Sequence, residues 1–499
     1  MAFLDHGEFP GTHGNSIPIA HNGSRLATQG RQRSASSWPT GWRQLLGACK
    51  NVGMSVSERS YRNLVLYEVS VRNHSVCGSF AGVEADLPRV AGMGVDCIWL
   101  MPIHPIGQLG RKGTLGSPYS VSGFCEVNPE YGSKAELARL LHCAHDLGLR
   151  VILDVVLNHS ARDCPLVQEH PTWYADAGSR RNTLPGWTDV QGFDHGHPEV
   201  RDYLIGVLEY WAQFGFDGFR CDVASFLPLD FWRAARSRLD VRFPKLIWLA
   251  ESTYWSLIAE RRAAGLPVLS DSELYEAFDL TFDNDALATW QAAVLGVAPL
   301  WRYAEILRMQ EGIYRSGAEK VRFVENHDQD RILALAPGRD EALAWTAFQA
   351  FNRGAFLLCA GQEAATAHMP SLFERDPIEW GGYELQPKLA RMAALKKEPA
   401  VRGGHFTITA ASRELQAAWQ TEEESLYGIF DVLNRRGVYE VLLPDGDYPE
   451  VLNGERVEVQ SGKCRLRNSY AVLRCRGNRW KPFHSDVFDF SAEGMIGRV

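Results

Sequence analysis

From about residue 62 the chain repeats one alternation, a short apolar run followed by an amphipathic stretch of helical period. The runs are Leu64–Val69, Cys97–Met101, Val151–Val156, Phe216–Asp222, Leu246–Glu251, Ala277–Thr281, Val321–Glu325 and Ala355–Cys359. Between them lie segments such as Lys134–Leu147, Glu199–Phe214, Leu229–Leu239 and Arg339–Asn352. Short apolar runs bounded by turn signals suit strands buried on both faces, and parallel strands need a crossover helix between them. Eight such units predict an α/β fold, a (β/α)8 TIM barrel. A doubly wound sheet uses similar units, but no glycine-rich phosphate loop follows the first strand.

Three stretches fall outside that rhythm. Residues 9–57 contain no Asp or Glu and are rich in Gly, Ser, His and Arg, a composition poorly suited to a core. We read residues 1–60 as a flexible extension, with a more ordinary segment beginning at Met54; an Arg- and Ser-rich, acid-poor transit peptide has the same composition. The connection Ser160–His197 has little helical pattern and several Gly, Pro and Trp, so residues 160–197 read as a subdomain inserted after the third strand. The barrel then comprises 61–159 and 198–400. Beyond about Ala400 strand-like alternation (LYGIFDVLN, VYEVLLPDG, RLRNSYAVLRC) predicts a C-terminal antiparallel β-domain over 401–478, with a tail over 479–499.

Composition narrows the partners. A net charge of −8 disfavours nucleic acid or an anionic membrane, and no apolar run is long enough to span a bilayer. The 10 cysteines show no CxxC or paired spacing, and Cys97, Cys221 and Cys359 lie inside apolar runs. Reduced core thiols and the lack of an apolar leader lead us to expect a cytoplasmic protein.

Chemistry concentrates where a barrel keeps it, at the C-terminal ends of the strands. The third strand ends in Asp154-Val155-Val156-Leu157-Asn158-His159 and the fourth carries Arg220-Cys221-Asp222. The fifth ends at Glu251, and the seventh in Glu325-Asn326-His327-Asp328. Residues two apart share a strand face, so Arg220 and Asp222 point one way while Phe219 and Cys221 face the helices. Like charges so close raise one another's pKa, which suits an acid kept protonated beside an ionised partner. Glycoside cleavage uses such a pair, one carboxylate attacking the anomeric carbon and one acid protonating the leaving oxygen. Arg220 is placed to keep the attacking group ionised. His195-Gly196-His197 has a metal-ligand spacing, but it sits in a loop with no further cluster to complete a site.

DVVLNH, GFRCDVAS, WLAES and FVENHD stand in the order of the four short signature regions of glycoside hydrolase family 13, the α-amylase family, and resemble them. The resemblance runs from about Tyr67 to the end of the barrel. It implies Asp222 as nucleophile, Glu251 as general acid/base and Asp328 as the acid that holds sugar hydroxyls. It also implies Asp154, His159, Arg220 and His327 as residues around the scissile sugar. GTLGSPYSV over 113–121 is similar to the family too, and there Tyr119 would stack on the reacting glucose. Arg375, within Phe373-Glu374-Arg375-Asp376, would line the sugar sites or else join a helix-start salt bridge. Calcium-dependent members use the residue matched by Asn158 together with a histidine after the fourth strand; here Ala224-Ser225-Phe226 supplies none, so no cofactor is expected. Gly123-Phe124 and Gln191-Gly192-Phe193-Asp194 match relatives loosely, and Val223 resembles members acting on α-1,6 bonds. The implied activity is retaining hydrolysis of α-glucans or α-glucosides. A transglycosylase or sugar isomerase built on the same intermediate, or a sugar-binding barrel without turnover, stays open. Oligomeric state is not legible.

Overall fold

The computed structural model describes residues 61–176, 183–184, 186–433 and 437–477; the expected extension over 1–60 and tail over 479–499 lie outside these. The first ten strands in chain order are β1 (Val65–Val69), β2 (Cys97–Leu100), β3 (Arg150–Val155), β4 (His159–Ala161) and β5 (Val190–Gly192). They continue with β6 (Gly218–Cys221), β7 (Ile247–Ala250), β8 (Leu280–Phe282), β9 (Glu319–Arg322) and β10 (Ala355–Cys359). Eight of them close into the expected barrel in the order β1-β10-β9-β8-β7-β6-β3-β2, every ladder parallel. β4 and β5 form a separate antiparallel pair in the connection after β3. That connection also carries a short helix, Pro165–Glu169, which its sequence did not suggest.

Local signals explain most boundaries. The helix Lys134–Asp146 starts on a capping box, Ser133 with Glu136, and lays Leu137, Leu140, Leu141 and Ala144 against the barrel. The helix Pro198–Phe214 stops at Gly215, whose φ of 123° suits glycine. Gly218 is required by space: a Cβ there would lie 2.2 Å from the Ile247 carbonyl oxygen across the β6–β7 ladder.

Two strands differ from expectation. Ala277 and Phe278 belong to the turn closing a short helix, their N–H groups donating to Leu274 O, so β8 begins later. β9 begins earlier, at Glu319-Lys320, because these charged residues are buried and paired. The Lys320 ammonium lies 2.7 Å from Asp271 and 2.9 Å from Asp285, and Arg322 lies 2.6 Å from Asp283. Lys320 and Arg322 share the outer face of β9, whereas Phe323 turns inward to Phe282 at 5.7 Å.

The C-terminal strands make two antiparallel sheets. They are β11 (His405–Ala410), β12 (Leu415–Gln420), β13 (Glu424–Phe430), β14 (Val438–Glu440), β15 (Gly446–Pro449), β16 (Arg456–Gln460), β17 (Lys463–Arg465) and β18 (Tyr470–Arg476). The orders are β11-β12-β13-β18 and β14-β17-β16-β15. Tyr427, Ile429, Val441, Val457 and Leu473 fill a common core. The first sheet meets the barrel helix Arg339–Phe351, with Phe348 against Phe430 and the Trp419 indole donating to Phe351 O. No described helix is long and apolar enough to cross a membrane.

Candidate active site

The barrel mouth gathers what the strand ends predicted. Asp154 and Arg220 are paired partners across β3 and β6. Asp222 follows β6, with its N–H on Val155 O, and Glu251 follows β7, with its N–H on Cys221 O. The ladders thus run one step past the assigned strands, which fixes both acids on rigid backbone. His327 and Asp328 lie five and six residues beyond β9.

Arg220 is the hub. It is fully buried, and its Nη1 lies 2.8 Å from Asp154 Oδ1 and 3.0 Å from Asp222 Oδ1, while Nη2 lies 2.9 Å from Glu251 Oε2. Trp99, Tyr119 and Phe282 present their rings to the guanidinium at 5.3, 5.5 and 5.6 Å. Burial separates the acids into two layers. Asp154 has no exposed surface, whereas the side chains of Asp222, Glu251 and Asp328 keep 9%, 16% and 15%. A buried Asp154–Arg220 base therefore carries Asp222 and Glu251, and His327 holds Asp328 beside the same mouth.

Val223 adds a backbone contact. Its N–H donates to Glu251 Oε2 at 2.6 Å, and its φ of 37° and ψ of 43° are left-handed, an unusual conformation for a β-branched residue. Arg220 Nη2 and the Val223 N–H thus converge on one oxygen of Glu251, the first as an ion pair and the second as a hydrogen bond. Burial pushes the Asp222 carboxyl well up, and the neighbouring charge of Glu251 pushes it further. Burial works upward on Glu251 as well, but Arg220, the Val223 N–H and His327 outweigh it and hold its carboxyl below the usual range. The expectation was an ionised Asp222 beside a protonated Glu251. The shifts run the other way, Asp222 up and Glu251 down, because Arg220 divides its charge among Asp154, Asp222 and Glu251 while the Val223 N–H favours Glu251.

Tyr119 stands upright between two partners. Its hydroxyl lies 3.0 Å from Asp154 Oδ2 and 2.8 Å from His327 Nε2, and its ring stacks on His327 at 21°. His159 sits lower than expected for a sugar contact and is almost wholly buried. Its Nε2–H donates to Tyr119 O at 3.2 Å, which leaves Nδ1 to accept from the Asn158 amide at 3.0 Å. Burial lowers His159 to about 4, so it stays neutral and supports the Tyr119 loop. Arg375 is not brought to the cluster. It is exposed, and its Nη2 donates to Cys77 O at 3.0 Å.

The structure adds two residues. The Trp99 indole donates to Asp154 Oδ2 at 3.2 Å, and Glu68 of β1 accepts from His327 Nδ1. A lone acid inside the apolar run LVLYEV was the legible sign of Glu68. The Asn158 amide nitrogen faces His159 Nδ1, and among the described residues no group of three or more His, Cys, Asp or Glu could hold a metal ion. His195 is buried against Phe193 and Phe231, while His197 lies 3.9 Å from Asp194.

Comparison with known proteins agrees with this geometry. The family described as Alpha amylase, catalytic domain, matches residues 68–188, and Bacterial Alpha amylase C-terminal domain matches residues 407–471. An alpha-amylase from Lactobacillus plantarum is 37% identical, with 83% of this chain and 99% of that one covered and a TM-score of 0.80. The noncanonic maltogenic alpha-amylase AmyB from Thermotoga neapolitana is 31% identical, with 84% and 100% covered and a TM-score of 0.73. Alpha-amylase 2 of Dictyoglomus thermophilum is 22% identical over 80% of this chain and 71% of its own length. With that likeness along almost the whole length of two solved relatives, and with the acid cluster at the barrel mouth, the chain belongs to glycoside hydrolase family 13, the α-amylase family.

Proposed function

We propose that the protein hydrolyses α-glucosidic bonds of oligo- or polysaccharides with retention of configuration. The observation that carries this reading is the two-layered acid cluster: Asp222, Glu251 and Asp328 reach solvent above a buried Arg220–Asp154 base. Asp222, held by Arg220 Nη1, attacks the anomeric carbon. Glu251 protonates the departing oxygen, then as a base draws a proton from the water that releases the sugar. Burial and the charge of Glu251 raise Asp222 while Arg220 lowers Glu251, so the leaving oxygen's approach must bring the proton to Glu251, since only a neutral Glu251 can donate. Asp328, 3.3 Å from His327 Nε2, is placed to bind sugar hydroxyls with it. Retention requires carboxyls about 5–5.5 Å apart. No cofactor enters this scheme, and we assign the protein to the cytoplasm on its unpaired cysteine pattern.

Product analysis on maltose, isomaltose, sucrose, trehalose and maltoheptaose tests the reading. Net release of glucose or short maltooligosaccharides with initial α configuration is the expected result. Longer or rearranged sugars without new reducing ends would assign the protein to transfer or isomerisation on the same intermediate, and binding without turnover would reject catalysis.

A further inference from the structure

His327 is enclosed by groups from several elements. Glu68 of β1 meets Nδ1; the Tyr119 hydroxyl, from the loop after β2, and Asp328 meet Nε2. The Trp99 ring of β2 crosses the imidazole edge-on at 5.6 Å. Asp154 of β3 shares the Tyr119 hydroxyl, and the charges of Glu251 and Arg220 lie beyond. Glu68 is 1% exposed, and its Oε2 has no hydrogen-bond partner among the described residues. A buried carboxylate with one unmet oxygen depends wholly on the group at its other oxygen.

The donors and acceptors then constrain the protons. An ionised Glu68 only accepts, so Nδ1 carries hydrogen. Tyr119 has one hydroxyl hydrogen and two neighbours, Asp154 Oδ2 and His327 Nε2. Given to the buried Asp154 carboxylate, whose Oδ2 the Trp99 indole also serves, that hydrogen leaves Nε2–H to donate to the Tyr119 oxygen. Both ring nitrogens are then protonated.

We propose that Glu68 is a positioning residue that holds His327 as an imidazolium, with Nδ1–H anchored on β1 and Nε2–H donated to the Tyr119 oxygen beside Asp328. Asp328 and the hydroxyls of a bound sugar then face a fixed positive charge. The pair also places one positive charge among the acids of the mouth without a second arginine. The kinetic side of this proposal rests on the glycosidase reading; the protonation itself does not.

The test is NMR of the full-length protein labelled with 13C and 15N in histidine, the His327 signals being those missing from His327→Gln. His327 is expected to be doubly protonated near neutral pH. In Glu68→Gln, a near-isostere that still accepts at Nδ1, its titration midpoint should fall by about one pH unit or more. Glu68→Asp should restore part of the shift. With an active enzyme, the alkaline limb of kcat/KM moves the same way in Glu68→Gln. An unchanged His327 midpoint in Glu68→Gln overturns the proposal, as does a wild-type His327 that is neutral with Nδ1 unprotonated. Should the midpoints move as expected while no α-glucoside is turned over, the hydrolase reading fails and the pair stands.

Discussion

Two buried charge clusters occupy this barrel, and a single strand leads to both. The outer face of β9 carries Lys320 and Arg322, matched by Asp271, Asp285 and Asp283. Just past the same strand, His327 and Asp328 enter the mouth, where Glu68, Asp154, Asp222, Glu251 and Asp328 outnumber Arg220 and His327. On the outer face burial works against the ammonium, yet Asp271 and Asp285 hold Lys320 well above its usual value, while burial raises Asp271 in turn and two cations face three acids in direct ion pairs. At the mouth burial raises Asp222 and a neighbouring acid raises it further, so the charges are in conflict. Burial alone is therefore no sign of function. A buried cluster whose acids far outnumber its cations and reach solvent at the barrel mouth is.

The largest expected effect tests the mouth. Asp222→Asn and Glu251→Gln should each lower kcat on the order of 10⁴-fold while circular dichroism stays native-like and thermal unfolding shows no loss of stability. Near-normal turnover in either would erase the functional half of the contrast. Next, Lys320→Met should destabilise the fold by about 3–5 kcal/mol in urea unfolding, because it leaves buried carboxylates uncompensated, with kcat of the folded fraction unchanged. A loss of kcat at full stability would instead place the outer cluster in the catalytic apparatus.

A smaller effect sharpens the idea of conflict. Because the folded-state pKa of Asp222 is raised, its stabilising contribution is complete below its unfolded value, near 3.8, and is lost as pH rises through the folded value. Asp222→Asn, which stays neutral, should be more stable than wild type at pH 7 by roughly 1–2 kcal/mol. That gain should shrink to nothing below about pH 3.8. A gain that persists in acid would point to packing as its source. Smallest of all, Arg375→Ala should change kcat/KM by less than roughly twofold, as expected of an exposed side chain tied to a carbonyl.

The legible parts of the molecule were those where one physical demand dominated. Apolar runs marked six of the eight barrel strands well, and carboxylates at strand ends marked the mouth. β9 began earlier than expected because Glu319 and Lys320 are charged, and partners at Asp271 and Asp285 lie far away in sequence. β8 was placed too early because Ala277 and Phe278 are apolar for the sake of a helix end rather than a strand. Glu68 went unassigned because its partner His327 lies 259 residues away. Arg375 matched a plausible motif, but its contact with Cys77 depends on how two loops meet, which no local pattern records. The opposed shifts of Asp222 and Glu251 were likewise out of reach, since they follow from the Val223 N–H direction and the reach of both Arg220 nitrogens.

His159 belongs to two structures at once. It opens β4, paired with Gly192 of β5, and it also supports the Tyr119 backbone. The inserted subdomain is thus fastened to the barrel at a residue one contact away from the Tyr119 ring. A chimera that exchanges this subdomain for a longer one should be spliced beyond Ala161 and before Val190, where the graft leaves that fastening whole. A junction cut at His159 would release the tyrosine along with the loop.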